Sequence, residues 1–272
     1  MMRHAHHAHP GHVVAYPKTI SQRLYVLVFV PVIILACIAV VGMYIPPLPG
    51  AGAAETSAFT MFAAALATLG RITIAYLIAL ACAVPLALLT TLNRTVEAIL
   101  LPLFDVFESV PILSVFPMIV VLFIGLHFLE GAALFILYLN MLWNLVFALV
   151  GGLQIIPKDI TYAAHVFGVR GVAYVRKVLL PAVFPQLVTG SILAVADGWN
   201  IIIVAEALHS YVPAGSQAGD LFGLGSILVS SAAESHNGTF ILALVVLVVM
   251  IGLINFFVWQ RLLHLSQRFR FE

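Results

Sequence analysis

Five charged residues interrupt long apolar stretches of this 272-residue chain: Arg71, Asp105, Glu108, Asp197 and Glu206. A charge in lipid is costly, so such residues face a partner, a water-filled cavity or a solute path. Trp199 and Asn200 share a stretch with Asp197, and Pro111 follows three residues after Glu108. One chemistry for the set is transport: Arg71, Glu108, Pro111, Asp197, Trp199, Asn200 and Glu206 line a translocation path or its gate. The other is structural: the acids pair with Arg71 or cap a broken helix. Asp105 and Glu108 suit the structural role, because they fall near an expected membrane interface where water is close. Asp197 fits either. A third reading, a secondary transporter, would use Asp197 or Glu206 as a proton or cation site.

Other chemistries lack their residues. There is no H-E-x-x-H pair for a metal-dependent hydrolase and no G-x-x-x-x-G-K-[ST] phosphate loop. The nearest glycine-rich stretch, GLGSIL from Gly223, has no lysine. No catalytic residue is therefore expected, and any ATP would be hydrolysed elsewhere. Cys37 and Cys82 lie in apolar runs without a CxxC spacing, which suits packing rather than redox or metal work. His4, His6, His7, His9 and His12 cluster near the start. Clustered imidazoles can hold Zn or Ni loosely, but no thiol or carboxylate closes a site. Residues 1–23 are expected to be a disordered tail. A formal net charge of +1 offers no basic stripe for phosphates, which argues against nucleic acid as a partner.

The elements that must position these residues are membrane helices. Hydrophobic residues make up 63% of the chain and charged ones 8%. A soluble domain carries about 25% charged residues, so too few are present for a soluble shell. Runs of about 20 apolar residues mark spans. They occur at Leu24–Tyr44, Ile72–Leu92, Val96–Leu126, Gly131–Val150, Pro181 to about Leu208, and Thr239–Trp259. This gives an all-α membrane protein with about six spans in one domain, 24–272. The third run contains Pro111 and is expected to be kinked or broken. The first exceeds the usual 7–15 residues of a signal h-region and is read as an uncleaved span. With six spans, eleven of the twelve basic residues fall on one side: Arg3, Lys18, Arg23, Arg94, Lys158, Arg170, Arg176, Lys177, Arg261, Arg268 and Arg270. Cytoplasmic loops carry this excess, so both termini are expected in the cytoplasm. On the opposite side, Leu221–Ser231 is apolar enough for a short helix near the outer surface.

The longest basic loop runs KDITYAAHVFGVRGVAYVRKVLLP, from Lys158 to Pro181. Ile160, Ala163, Ala164 and Phe167 follow helical spacing. Gly168 allows a turn, and Val172, Val175 and Leu179 form a second apolar stripe. Two short amphipathic helices are expected, with Pro181 starting the next span. A face binding lipid headgroups would explain the amphipathicity alone. It leaves the spacing of Ala163, Ala164, Gly168, Val178, Leu180 and Pro181 unexplained.

Those residues resemble the EAA loop of bacterial ABC importer permeases, except that Tyr162 stands where the family has glutamate. FESVPILSVFPMIVVLFIGL from Phe107, ADGWNIIIVAEAL from Ala196 and the tail FVWQRLLHLSQRFRFE are similar to segments of the nitrate/sulfonate/taurine group. The resemblance implies a type I importer permease fold in a bacterial inner membrane. It implies a coupling loop at 158–181, comprising Tyr162, Ala163, Ala164, Phe167, Gly168, Val178, Leu180 and Pro181. It also implies a second permease subunit, two cytoplasmic ATPases holding ATP and Mg, an extracytoplasmic binding protein and a small anionic solute. A membrane scaffold without transport activity is the remaining alternative.

Overall fold

The computed structural model describes residues 58–92, 94–210 and 219–269. Among them every regular element is helical. The expected span Leu24–Tyr44 and the histidines of the first 23 residues lie outside the described residues.

Helix α1 covers Ala58–Leu92. Helices α2 (Arg94–Ser109) and α3 (Ile112–Gly125) meet at a bend of 85°. The bend falls at Pro111, whose ring removes a donor and disfavours helix in the residue before it. This is the break expected in the third apolar run. Helix α4 (Leu129–Gln154) is uninterrupted, α5 (Lys158–Val166) is short, and α6 runs from Val172 to Glu206. Helix α7 (Leu224–Ala233) has ten residues, too few to cross a bilayer. Helix α8 spans Asn237–Phe269. Four helices (α1, α4, α6, α8) are long and apolar enough to cross a membrane, and the bent α2–α3 pair counts as a fifth where it is one broken span rather than a re-entrant loop. The protein is a multi-pass membrane protein.

Three helices form the core, α1, α4 and α6. Lipid gives apolar side chains no reason to leave it, so helices associate through close packing and small residues. The sequence supplies these at four-residue spacing. Ala75, Ala79, Ala83 and Ala87 are buried along α1. Gly190 faces Ala148, Gly198 faces Met141 and Gly152 faces Gln186 between α4 and α6. Between α1 and α6, the Tyr76 hydroxyl donates to Ser191 Oγ at 2.8 Å. By contrast, Ile241, Val245, Val248, Val249, Phe256 and Phe257 of α8 are exposed, as befits a helix facing lipid or another subunit.

The stretch around Leu221–Ser231 forms the expected short helix. Leu224, Ile227, Leu228 and Ser231 are buried, and α7 packs against α6 and α8. One expectation needs revision: Pro181 does not begin its span. The helix starts at Val172 and passes through a π turn at Val175–Leu179 before the proline. Within that turn the Leu180 N–H donates to the Val175 carbonyl. Such widening lets a helix accommodate a proline that offers no N–H to the turn behind it.

Candidate functional site

By connectivity, the end of the bundle holding Leu92, Gln154, the start of α6 and the end of α8 also holds Arg170, Arg176, Lys177, Arg261 and Arg268. The α5 loop protrudes there. Pro157 precedes the helix and Asp159 sits in its first turn, where a negative charge suits the helix dipole. At its far end Gly168 takes φ +70°, a left-handed conformation that side-chain-bearing residues avoid. The Val169 N–H then donates to the Ala164 carbonyl at 2.9 Å, and the Phe167 N–H to the Ala163 carbonyl at 3.0 Å. This pattern closes a helix C-terminus on a glycine. Gly171, at φ +58°, turns the chain again into α6. Thr161 Oγ1 and Tyr174 OH, 3.0 Å apart, share a hydrogen bond that ties α5 to the returning helix.

Of the expected loop residues, Ala164 and Leu179 face inward, while Val178, Leu180 and Pro181 are half-buried. Tyr162, Val166, Phe167 and Val172 are exposed, Phe167 by 82%. Four large apolar side chains thus face outward among basic residues: Tyr162 and Val166 on α5, Phe167 just past its end and Val172 at the start of α6.

The opposite end carries a buried ion-pair cluster. Arg71, on α1, donates from Nη1 to Glu206 Oε1 at 2.7 Å and to the Phe222 carbonyl at 2.8 Å. Its Nε and Nη2 donate to the two oxygens of Glu130, both at 2.7 Å. Glu206 is fully buried and also accepts from Thr68 Oγ1 at 2.8 Å and the Gly225 N–H at 2.7 Å. Thr68 Oγ1 in turn accepts from the Leu224 N–H at 2.9 Å. Leu224 and Gly225 open helix α7, and a helix start leaves such N–H groups without intrahelical partners. Its N-cap, Gly223, has no side chain to satisfy them, so Glu206 and Thr68 cap the helix from other elements. A Cβ on Gly223 would strike the Glu206 carboxylate, and one on Gly225 would lie 2.8 Å from Ile203 Cα. The glycines are therefore required by this approach.

The remaining candidates lie apart from that cluster. Pro111 is the residue before α3, at the bend. Glu108 and Asp105 are exposed on α2, and both Asp105 and Asp197 act on Glu108 electrostatically. Asp197, half-buried, accepts from Asn144 Nδ2 at 2.7 Å. Trp199 is buried while Asn200 is exposed, so the neighbours of Asp197 do not share one face. A cleft of about 450 Å³ between α2 and α4 is lined by Leu101, Pro102, Asp105, Phe147, Val150, Gly151 and Gln154. Among the described residues no three His, Cys, Asp or Glu side chains are grouped to hold a metal ion.

Sequence reasoning missed Glu130, Thr68 and Asn144. Glu130 had a usable signal. An intramembrane arginine needs counter-charges, and Glu130 stands one residue before the expected fourth span.

A helical bundle with a glycine-capped helix at its basic end and small-residue packing within defines a class, the membrane component of a transport system. The profile of the family described as "binding-protein-dependent transport system inner membrane component" matches residues 79–269. The chain belongs to that family, whose members form the permease and are not themselves catalytic. It is similar to the nitrate import permease protein of Leptolyngbya laminosa, at 31% identity over 59% of this chain and 56% of the relative. It is similar to the bicarbonate transport system permease protein of Synechococcus elongatus, at 27% identity over 68% of this chain and 62% of the relative. The taurine transport system permease protein of Escherichia coli is 27% identical over 52% of this chain and 50% of its own length. The match thus spans between half and two thirds of each of these relatives.

Proposed function

We propose that this chain is the permease subunit of an ATP-driven importer of a small anion such as nitrate, bicarbonate, a sulfonate or taurine. It pairs with a second permease subunit, two cytoplasmic ATPases that hold ATP and Mg, and an extracytoplasmic binding protein. It sits in a bacterial inner membrane with both termini and the basic end in the cytoplasm, as the lysine and arginine distribution favours. The observation that carries this reading is the α5 tip. Tyr162, Val166, Phe167 and Val172 stand out from the basic end, on α5, the turn after it and the start of α6, which Gly168 and the Thr161–Tyr174 bond hold together. An apolar helix face of this kind fits a groove on a partner. Tyr162 in place of glutamate makes that contact apolar rather than ionic at its first position.

The solute class is supported by the relatives, and the solute path by the acids and amides of α2, α4 and α6. A proton-coupled mechanism gains nothing from Glu206, which three donors hold in place. The test is uptake into proteoliposomes carrying the full complex, with labelled nitrate, bicarbonate or taurine. Uptake that requires both ATP and the binding protein is expected. Uptake driven by a proton gradient without ATP would contradict the proposal.

A further inference from the structure

Arg71 is the only buried lysine or arginine among the described residues, and it divides its donors between two unlike carboxylates. The Nη1 edge is committed. It serves Glu206 and the Phe222 carbonyl, and Glu206 is wholly buried with further donors from Thr68 and Gly225. The Nε/Nη2 edge is different. It holds both Glu130 oxygens at 2.7 Å, yet the Glu130 side chain is 46% exposed. Among the described residues Glu130 makes no other hydrogen bond. Water reaches the half-exposed Glu130 and not Glu206, so this is the arm open to exchange. The charges agree: Arg71 and Glu206 already cancel, and Glu130 adds one negative charge that neutrality does not need. A Cβ on the neighbouring Gly131 would strike the rings of Phe123 and Phe128, so the turn that carries Glu130 is closely packed while its side chain reaches solvent.

We propose that the Nε/Nη2 edge of Arg71 is a binding site for a planar, monovalent oxyanion, and that Glu130 is a tethered competitor occupying it when no solute is present. This rests on the anion-importer reading and narrows its solute class. A guanidinium fork makes two parallel bonds to two coplanar oxygens. Nitrate and bicarbonate present that pair of oxygens with the same single charge as Glu130, so the pairing at the fork itself is unchanged when Glu130 turns to solvent. Chloride has no second acceptor for the fork, and sulfate brings a second charge beside Glu206. In the orientation proposed above, the cluster lies toward the outer end of the bundle, where solute arrives.

The test is thermal unfolding of the purified complex in detergent, at constant ionic strength, with sodium nitrate, bicarbonate, chloride or sulfate. A tethered carboxylate competes at a high effective concentration. Glu130→Ala should therefore lower the nitrate and bicarbonate concentrations giving half-maximal stabilisation by about tenfold or more, with no such gain for chloride or sulfate. Equal nitrate responses in E130A and the unaltered protein, or equal gains from all four anions, would overturn the site. Should E130A fail to assemble, Glu130→Gln, which retains the shape but not the charge, is measured the same way. A smaller shift in the same direction is expected, and no shift overturns the site. A complex that imports with ATP but shows no anion-specific shift sinks the Arg71 site alone. A chain without an ATPase partner sinks the importer reading, and the anion titration still decides the site.

Discussion

Glu206 shows how much one side chain can organise. Three donors from α1 and the start of α7 converge on a carboxylate with no exposure to solvent. Glu206→Ala would leave Arg71 with Glu130 as its counter-charge but strip the Gly225 N–H and Thr68 Oγ1 of their buried acceptor. An unsatisfied buried donor costs about 1–3 kcal/mol, so a clear fall in the unfolding temperature of the detergent-solubilised protein is expected. Arg71→Lys should also destabilise, because a single ammonium nitrogen cannot reproduce the four bonds that the guanidinium makes from three separate nitrogens. Sequence alone marked Arg71 and Glu206 as residues that needed partners, since both break apolar runs. It offered pairing of the acids with Arg71 as the structural alternative but did not tell which acid; of Asp105, Glu108, Asp197 and Glu206, the last, 135 positions away, is the one that pairs. Nor did it reveal that Thr68 and Gly225 complete the set, because a threonine and a glycine carry no signal until the fold brings them together.

At the scale of elements, periodicity and breakers were the most legible features. Pro111 predicted the bend, Gly168 predicted the turn, and the α5 helix followed from four apolar positions. The π turn ahead of Pro181 was not legible, because it is a local answer to a missing N–H within a helix that packing against α4 holds together. The contact between α4 and α6 depends on small residues. Gly190→Leu should push Ala148 and α4 away, costing about 1–3 kcal/mol as overpacking does. Thermal unfolding and the yield of folded protein would report it. Gly168→Val should behave differently. No atom lies within 4 Å of the added Cβ, so the penalty is backbone strain at φ +70°. The tip should rearrange while the core stays intact. The expected outcome is a nearly unchanged unfolding temperature with ATP hydrolysis no longer tied to uptake, measured on the same reconstituted complex.

For the whole molecule, composition and the distribution of basic residues already pointed to a multi-pass bundle. The family match over residues 79–269 agrees with it. Exposed apolar surface then falls into two kinds. The side chains of α8 suit lipid or a second subunit, whereas the α5 tip lies at the end of the bundle among basic residues. The central claim is that this tip receives an ATPase. Its most direct measurement is co-purification of the ATPase with the full complex from its native membrane, comparing the natural chain with Phe167→Asp. Phe167 is exposed, so the substitution should leave the bundle folded. The account predicts an ATPase that purifies with the natural chain and is lost, or greatly reduced, with F167D. No ATPase with the natural chain, or undiminished ATPase with F167D, would contradict it.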